Sequence, residues 1–280
     1  MPTETIGILH PGAMGSFVAA CALRSGHQVC YISEGRSDAT RARAAEQHLR
    51  DLGTLVALCA DCSTIISICP PHAAEEVALQ VIASGFKGLY LDANAISPEK
   101  AKHIGEMLIS EGITFVDGGI IGGPAWTPGE TWIYLSGKDA GRIAGCFSAG
   151  PLGVSVIGDE IGKASAIKMC YAAYTKGTTA LLTAILALAE ASGVRAELSA
   201  QWERDETGFS QQAERRARRV TAKAWRFAGE MYEIASTFES AGLPDGIHRA
   251  AGEIYRRLGR FKGAGEFPDL DIVLDALLKG

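Results

Sequence analysis

The stretch Thr5-Ile6-Gly7-Ile8-Leu9-His10-Pro11-Gly12-Ala13-Met14-Gly15 decides the fold. A short apolar run rich in β-branched residues breaks at His10-Pro11-Gly12 and gives way to a helix-period segment over Met14–Arg24. Strand, glycine turn and helix in that order open a dinucleotide-binding βαβ unit. The turn has the G-x-G-x-x-G layout with His10 in the first glycine position. Gly12 would let the backbone approach a pyrophosphate, Gly15 would let the helix pack closely on the strand, and the helix N-terminus would face the phosphates. His10, Pro11, Gly12, Ala13, Met14 and Gly15 are therefore the candidate phosphate-binding residues.

Working outward, apolar runs at Val29–Ser33, Thr64–Cys69, Leu89–Ala93, Thr114–Ile121, Thr131–Ser136 and Val154–Gly158 read as further strands. Helical patterns fall between them at Ala39–Leu49, Ala73–Ser84, Pro98–Ser110 and Gly141–Ala149. Strands alternating with helices predict right-handed crossovers and a doubly wound, mostly parallel Rossmann sheet, an α/β fold. From Thr114 onward the connections shorten, which predicts antiparallel strands. After Gly158 the strand signal stops. One long helix is predicted over Ile161–Ser192, capped by Gly193, with more helices near Glu197–Trp202, Gln211–Ser240, Pro244–Leu258 and Pro268–Leu278. The reading is a nucleotide-binding domain over 1–160 and an all-α domain over 161–280.

The end of the second strand should meet the adenosine ribose. Glu34 lies about 20 residues after the glycine turn, where an acid would accept the ribose hydroxyls of NAD. Ser33, Arg36, Ser37 and Arg41 crowd the same turn, and a 2′-phosphate requires such donors. NADP is favoured because several donors converge, with NAD as the alternative.

Composition excludes other classes. With 47% hydrophobic and 21% charged residues, the chain can bury a sizeable core and is neither disordered nor fibrous. A net charge of −5 gives no case for nucleic acid or an anionic membrane. The run Arg215, Arg216, Arg218, Arg219 reads as a solvated helix face, with a polyanion site as the alternative. No uninterrupted apolar run reaches the roughly 18 residues that span a bilayer, and the N-terminus shows no secretory pattern. Seven cysteines at scattered apolar positions fit free thiols in a reducing, cytoplasmic setting. Cys59 and Cys62 form a CxxC with no second ligand pair, so they read as core thiols, and no metal site is expected.

Gly7 to Gly15 resembles the opening of the β-hydroxyacid dehydrogenases, the superfamily of 3-hydroxyisobutyrate and 6-phosphogluconate dehydrogenases. The resemblance continues through Gly26-His27-Gln28-Val29, Ile68-Cys69-Pro70-Pro71-His72, Asp117 to Pro124, and Gly162 to Lys168. The C-terminal part, with Glu230 to Ala235 and Ala241-Gly242-Leu243-Pro244, resembles the helical domain of a 6-phosphogluconate dehydrogenase-like branch. The resemblance implies that Pro70, Pro71 and His72 lie beside the nicotinamide and that Asn94 contacts cofactor and substrate. It further implies that Gly122 and Gly123 form a substrate-carboxylate loop and that Lys168 is the catalytic lysine. The family has a serine before the paired glycines, where this chain has Ile121. It has asparagines after the lysine, where this chain has Tyr171 and Ala172.

Lys168 also stands out by position, in the first turns of a helix that begins where the two domains join. A cleft at such a junction is where substrate binds, and a lysine there can exchange a proton with a substrate hydroxyl while hydride passes to or from the nicotinamide. Lys176, two turns on, falls near the same helical face, and Tyr171 is a secondary proton donor. Both are read as substrate-binding. Tyr174, Trp225, Glu230, Glu233 and His248 are candidates to reach the cleft from the helical part or from a partner subunit, with a structural role the leading reading for each. The leading function is an NAD(P)-dependent oxidoreductase acting on a small hydroxy acid or its carbonyl counterpart. The alternatives are an imine reductase-like enzyme on the same scaffold and a non-catalytic redox-sensing dinucleotide-binding protein. The alanine-rich long helix and the later aromatic residues carry more apolar surface than one helical layer can bury, which predicts a homodimer.

Overall fold

A computed structural model describes residues 3–280. The elements, in chain order, are β1 (Thr5–Ile8), α1 (Ala13–Arg24), β2 (Gln28–Tyr31), α2 (Asp38–Glu46), β3 (Arg50–Asp51), α3 (Leu55–Asp61), β4 (Thr64–Ser67) and α4 (Ala74–Ala83). They continue with β5 (Leu89–Asp92), α5 (Pro98–Ser110), β6 (Thr114–Ile121), β7 (Thr131–Ser136), α6 (Ala140–Gly145) and β8 (Leu152–Val156). The helices α7 (Lys163–Ala172), α8 (Thr178–Ala191), α9 (Arg195–Asp205), α10 (Phe209–Ser240), α11 (Gly246–Leu258) and α12 (Leu270–Lys279) complete the chain. Two compact units result, Met1–Met169 and Cys170–Gly280.

In the first unit one sheet runs in the order β3-β2-β1-β4-β5-β6-β7-β8. The strand order reverses between β1 and β4, the switch point at which such sheets bind ligands. Every pairing is parallel except β6 with β7. The expectation of antiparallel strands after Thr114 therefore holds for β7 against β6, and is corrected for β6, which runs parallel to β5, and for β8, which runs parallel to β7. Helices cover both faces, so the central strands are buried on both sides and read as continuous Ile, Val and Leu runs.

The sequence reading also missed β3 and α3. It ran the second helix on to Leu49, but His48 takes a left-handed conformation, φ 56°. That ends the helix at Glu46 and turns Leu49 into the core. The edge strand that follows is too short and too polar to show a period.

In the second unit α10 packs against α8, α11 and α12. The face α11 buries, His248, Ala251, Gly252, Tyr255 and Leu258, recurs at helical spacing. The predicted long helix is present, but a π-helical turn interrupts it over Ala173–Gly177. Three threonines explain the local geometry: the Thr175, Thr178 and Thr179 hydroxyls donate to the carbonyls of Tyr171, Tyr174 and Thr175. Such back-bonding loosens the helical ladder, and side chains from α10 and α11 bond into the gap. Arg216 donates to the Thr175 carbonyl, and the Tyr255 hydroxyl donates to the Lys176 carbonyl. By length and composition alone, the 29-residue helical stretch Lys163–Ala191 is sufficient to cross a membrane, which the count of uninterrupted apolar residues did not anticipate. Within the second unit Ala180, Thr183, Leu186 and Ala187 are buried.

One further reading changes, and the reading of Cys59 and Cys62 as core thiols holds. Arg216 and Arg218 are half-buried and bonded, Arg216 to Thr178 and Thr179 and Arg218 to the Pro268 carbonyl, so the arginine run is not simply a solvated face. Cys59 and Cys62 belong to the apolar core that also contains Cys30.

Candidate nucleotide and substrate site

The glycine turn begins where β1 stops. Gly12 is the N-cap of α1; its N–H donates to the His10 carbonyl at 2.8 Å and its carbonyl accepts from Ser16 N at 2.8 Å. The Ser16 hydroxyl closes the turn on the Pro11 carbonyl. A Cβ on Gly15 would lie 2.2 Å from the His10 carbonyl oxygen, which is backbone and has no room to yield. Gly15 is thus required by the turn itself, while Ile8, the strand neighbour, is only at ordinary contact distance, 3.6 Å. A Cβ on Gly12 would meet nothing within 4 Å. The open side of the turn therefore faces outward at the start of α1, beside Ala13 and Met14, whose amides have no intrahelical acceptor. That is the geometry an anion requires.

From the end of β2, Arg36 reaches back toward this turn. Its guanidinium acts electrostatically on His10, and its Nε is buried without a hydrogen-bond partner. Burial first, and then that guanidinium, lower the His10 imidazole to a pKa of about 4, so it is neutral at pH 7, and its buried Nδ1 also lacks a partner. The other donors counted in the sequence are engaged. Ser37 Oγ caps α2 by accepting from Thr40 N at 3.3 Å, and Arg41 is held by Asp38 and the Arg36 carbonyl, each at 2.6 Å. Ser33 N donates to Asp51 Oδ1 at 3.1 Å, and Glu34 is exposed. Arg43, which the sequence reading did not single out, adds a second buried guanidinium Nε without a partner.

At the ends of β4 and β5 a side-chain amide ties the two loops. Asn94 Oδ1 accepts from Cys69 N at 2.5 Å, Asn94 Nδ2 donates to Ser67 Oγ at 3.2 Å, and Asn94 N donates to Asp92 Oδ1 at 2.9 Å. Asn94 thereby sets the course of Cys69-Pro70-Pro71. Lys100 Nζ donates to the Pro71 carbonyl at 2.8 Å, and Pro70 is exposed.

Lys168 is positioned by a buried carboxylate three residues before its own anchor. Asp117 and Ser136 are cross-strand neighbours on β6 and β7. Asp117 Oδ2 accepts from Ser136 Oγ at 3.0 Å, Gly162 N at 2.9 Å and Ser165 N at 3.0 Å, and Oδ1 accepts from Ser165 Oγ at 2.6 Å. Ser136 Oγ accepts in turn from Ala164 N. The first turn of α7 is thus bonded onto the sheet. Gly119 allows the approach: a Cβ there would sit 2.3 Å from the Ala164 carbonyl oxygen. One turn on, Lys168 Nζ donates to the Ile120 carbonyl at 2.6 Å, two residues ahead of Gly122–Gly123. Gly122 has φ 108°, and a Cβ there would strike the Glu130 carbonyl at 2.3 Å. The Thr131 hydroxyl holds the Gly123 carbonyl, and Gly123 opens onto clear space.

The C-terminal ends of the adjacent strands β1, β4, β5 and β6 therefore carry the glycine turn, Pro70–Pro71, Asn94, and Lys168 with Gly122–Gly123. The remaining two predicted residues belong to the second unit. Tyr171 is exposed. Lys176 forms a mostly buried ion pair with Glu230 and lies 4.5 Å above the Phe227 ring. His248 is buried edge-on against Phe238 at 4.3 Å. Asp92, Asp117, Ser136 and Ser165 escaped the sequence reading because a lone polar residue in a strand or helix gives no period.

The fold and the glycine turn define a dinucleotide-binding Rossmann domain. Residues 5–141 match the NAD binding domain of 6-phosphogluconate dehydrogenase, and residues 189–258 match a domain of unknown function, DUF1932. The chain thus combines a 6-phosphogluconate dehydrogenase-like NAD binding domain with a DUF1932 domain after it. An uncharacterized 28.5 kDa protein of Methanothermus fervidus is 30% identical over 165 residues, 59% of this chain and 63% of that protein. This chain therefore spans less than two thirds of that curated relative. Among solved structures, the conserved protein MTH1747, described as structurally similar to 3-hydroxyacid dehydrogenases, is 26% identical with TM-score 0.65, covering 98% of each chain. A Mycobacterium tuberculosis 3-hydroxyisobutyrate dehydrogenase with L-serine is 18% identical with TM-score 0.70, covering 99% of each chain. A Myxococcus stipitatus imine reductase variant in complex with NAD+ is 18% identical with TM-score 0.58, covering 99% of this chain and 100% of that one. The last two share the fold with this chain.

The buried Asp92 yields a pH test. Burial first, with the Asp117 carboxylate on the next strand adding to it and the Asn94 N–H opposing, raises its carboxyl to about 7. Folded protein holds that proton up to about pH 7, the unfolded chain only up to about pH 4. Stability therefore falls as pH rises from about 4 to about 7 on account of this group. Asp92→Asn keeps an acceptor for Asn94 N. Compared by urea midpoint, the variant should gain on the wild type across that window by a few kcal/mol. A difference independent of pH would show that Asp92 is ionised throughout.

Proposed function

We propose that the chain is a nicotinamide-dependent oxidoreductase acting on a small hydroxy acid or its carbonyl counterpart, with Lys168 as the acid–base group. The observation that carries this reading is the Lys168 Nζ to Ile120 carbonyl bond at the C-terminal end of β6, beside Gly122–Gly123. The residues fit a dinucleotide: Gly12 leaves clear space at a helix N-terminus, and Arg36, whose charge acts on His10 of that turn, has a buried Nε without a partner. When bound, the nicotinamide supplies or accepts the hydride. Lys168 holds the proton at Nζ, giving it to the carbonyl oxygen in reduction and taking it from the hydroxyl in oxidation. Gly122–Gly123 present backbone rather than side chain to the substrate in this reading.

Ile121 and the buried Ala172 favour a second reading on the same scaffold. They stand where the hydroxyacid dehydrogenases place serine and asparagine, and their loss suits a less polar carbonyl compound or an imine. Turnover of NADPH against hydroxy acids, keto acids and cyclic imines separates these readings, and a panel without turnover leaves the redox-sensing alternative. All seven cysteines are free, which suits the reducing cytoplasm.

The cofactor choice rests on Arg36, the donor of the ribose turn with an unpartnered buried N–H. Calorimetry should show NADPH binding more tightly than NADH, and Arg36→Ala should cost about 1 to 3 kcal/mol of NADPH affinity. NADH binding equal to or tighter than NADPH would transfer the ribose to Glu34.

The second unit leaves Leu181, Leu188, Trp225, Tyr232 and Ile247 exposed, and a second copy of the chain is the proposed cover. Light scattering at micromolar concentration should give twice the 29.5 kDa chain mass; the monomer mass would remove the dimer.

The mechanism itself is tested by Lys168→Met. Methionine retains most of the side-chain volume and drops the ammonium. With whichever substrate turns over, kcat should fall at least about 10²-fold, the lower range for a lost proton-transfer group. Cofactor affinity should hold, since the glycine turn and Arg36 are untouched. A variant that keeps its rate would make Lys168 a structural tie to Ile120 alone.

A further inference from the structure

The second unit contains a basic pocket that the nucleotide chemistry does not use. It has a volume of about 600 Å³ and is lined by Tyr174, Thr175 and Thr179 on one side and by Gln212, Arg215, Arg216, Arg219 and Val220 on the other. Three arginines therefore line one open space. Arg216 is held rigidly: Nε and one Nη bond to the Thr178 and Thr179 hydroxyls and the Thr175 carbonyl at 2.7 to 3.1 Å. All of those partners are neutral oxygens, so the charge is oriented but not compensated.

Among the described residues, no carboxylate lies within ion-pair distance of Arg215, Arg216 or Arg219. Glu214, the nearest acid in sequence, acts on Arg195 instead. Glu230, further along α10, is taken by Lys176. The cationic stripe continues along α10 with Lys223 and Arg226, which also lack ion pairs. The ammonium of Lys223 is disfavoured by burial first and then by Arg226 and Lys176, so the local field is positive enough for like charges to repel. Guanidinium forks suit phosphate oxygens, and a fixed fork with neighbouring hydroxyl and amide groups discriminates better than mobile surface lysines.

We infer that this pocket binds a small phosphate-bearing ligand, held by Arg215, Arg216 and Arg219 with Gln212 and the Tyr174 hydroxyl at its rim. The site is built from second-unit residues alone. It gives the DUF1932 region a binding function of its own and does not depend on Lys168 chemistry.

Inorganic pyrophosphate, titrated calorimetrically into the full chain, is the probe. Because the glycine turn also attracts phosphate, three proteins are compared: wild type, Arg36→Ala, and Arg215→Gln with Arg219→Gln. Both replaced pocket arginines are exposed, so the double variant should fold, and its NADPH titration reports whether the first unit is intact. Pyrophosphate binding that survives Arg36→Ala and weakens at least about 10-fold in the double variant supports the site, one charged hydrogen bond being worth about that factor. Should the double variant not fold, Arg215→Gln alone should still weaken binding measurably. The inference is overturned by absence of pyrophosphate binding, by binding lost in Arg36→Ala and unchanged in the pocket variants, or by a single-stranded RNA oligonucleotide binding the pocket more tightly than pyrophosphate.

Discussion

The candidate site of the first unit is held in place by one buried carboxylate. Asp117 sits within β6 and gathers the Ser136 hydroxyl from β7 with two amides and one hydroxyl from the start of α7. An ionised group taken out of water is tolerable only with such a set of donors, and the N-terminus of a helix adds its own preference for negative charge. Burial still pushes the carboxyl above its usual range, with the Ser165 and Ser136 bonds opposing. The benefit lies in geometry. Asp117 meets Ser165, and three residues later along both elements Ile120 meets Lys168, so strand and helix are pinned at two points with Gly119 clearing the space between them. The lysine is therefore placed by the sheet rather than by its own rotamers.

Asp92 shows what the same residue type does without that support. It lies opposite Asp117 on the adjacent parallel strand, equally buried, but one of its oxygens has no partner. Together with Ser67, Cys69 and Asn94 it makes a polar seam at the ends of strands that are otherwise Ile, Leu and Val. Unsatisfied polar groups are costly in a core, so their concentration at one edge of the sheet points to work done there rather than to stability. His10 and Arg36, each with an unpartnered buried nitrogen, stand at the same edge. Each of these orphaned groups is of the kind that a polar ligand satisfies.

What could be read from the sequence follows the physics of periodicity. The glycine turn, the boundaries of β6, β7 and α5, and the change to an all-helical second half were legible because each is a repeated pattern or a punctuation residue. The short β3 had neither. The π turn was hidden because threonine spacing looks helical until the carbonyl partners are known. At the site, Lys168 and the glycines were legible through their setting. Ser37 and Arg41 read as ligand donors because sequence shows donor chemistry but not prior commitment; the structure engages one as a helix cap and the other in an ion pair. Asp117 was quoted within a motif, yet its part in orienting α7 needs contacts that lie far apart in sequence.

The second unit follows a different rule for its charges. Lys176 and Glu230 neutralise each other in a largely buried pair, with the Tyr255 hydroxyl on the Lys176 carbonyl and His248 packed near Gly177. A buried ion pair contributes little net stability, but removing one partner is expensive, so it specifies an arrangement more than it strengthens one. Here it sits within the π turn, where the helix has given up its regular bonds and needs outside partners to hold a single conformation. Glu230, Tyr255 and Arg216 come from two different helices and all bond to residues 175–179. The irregular turn is therefore the point where the bundle fixes the long helix, and Arg216, held there by neutral oxygens alone, keeps an uncompensated charge at the mouth of the basic pocket.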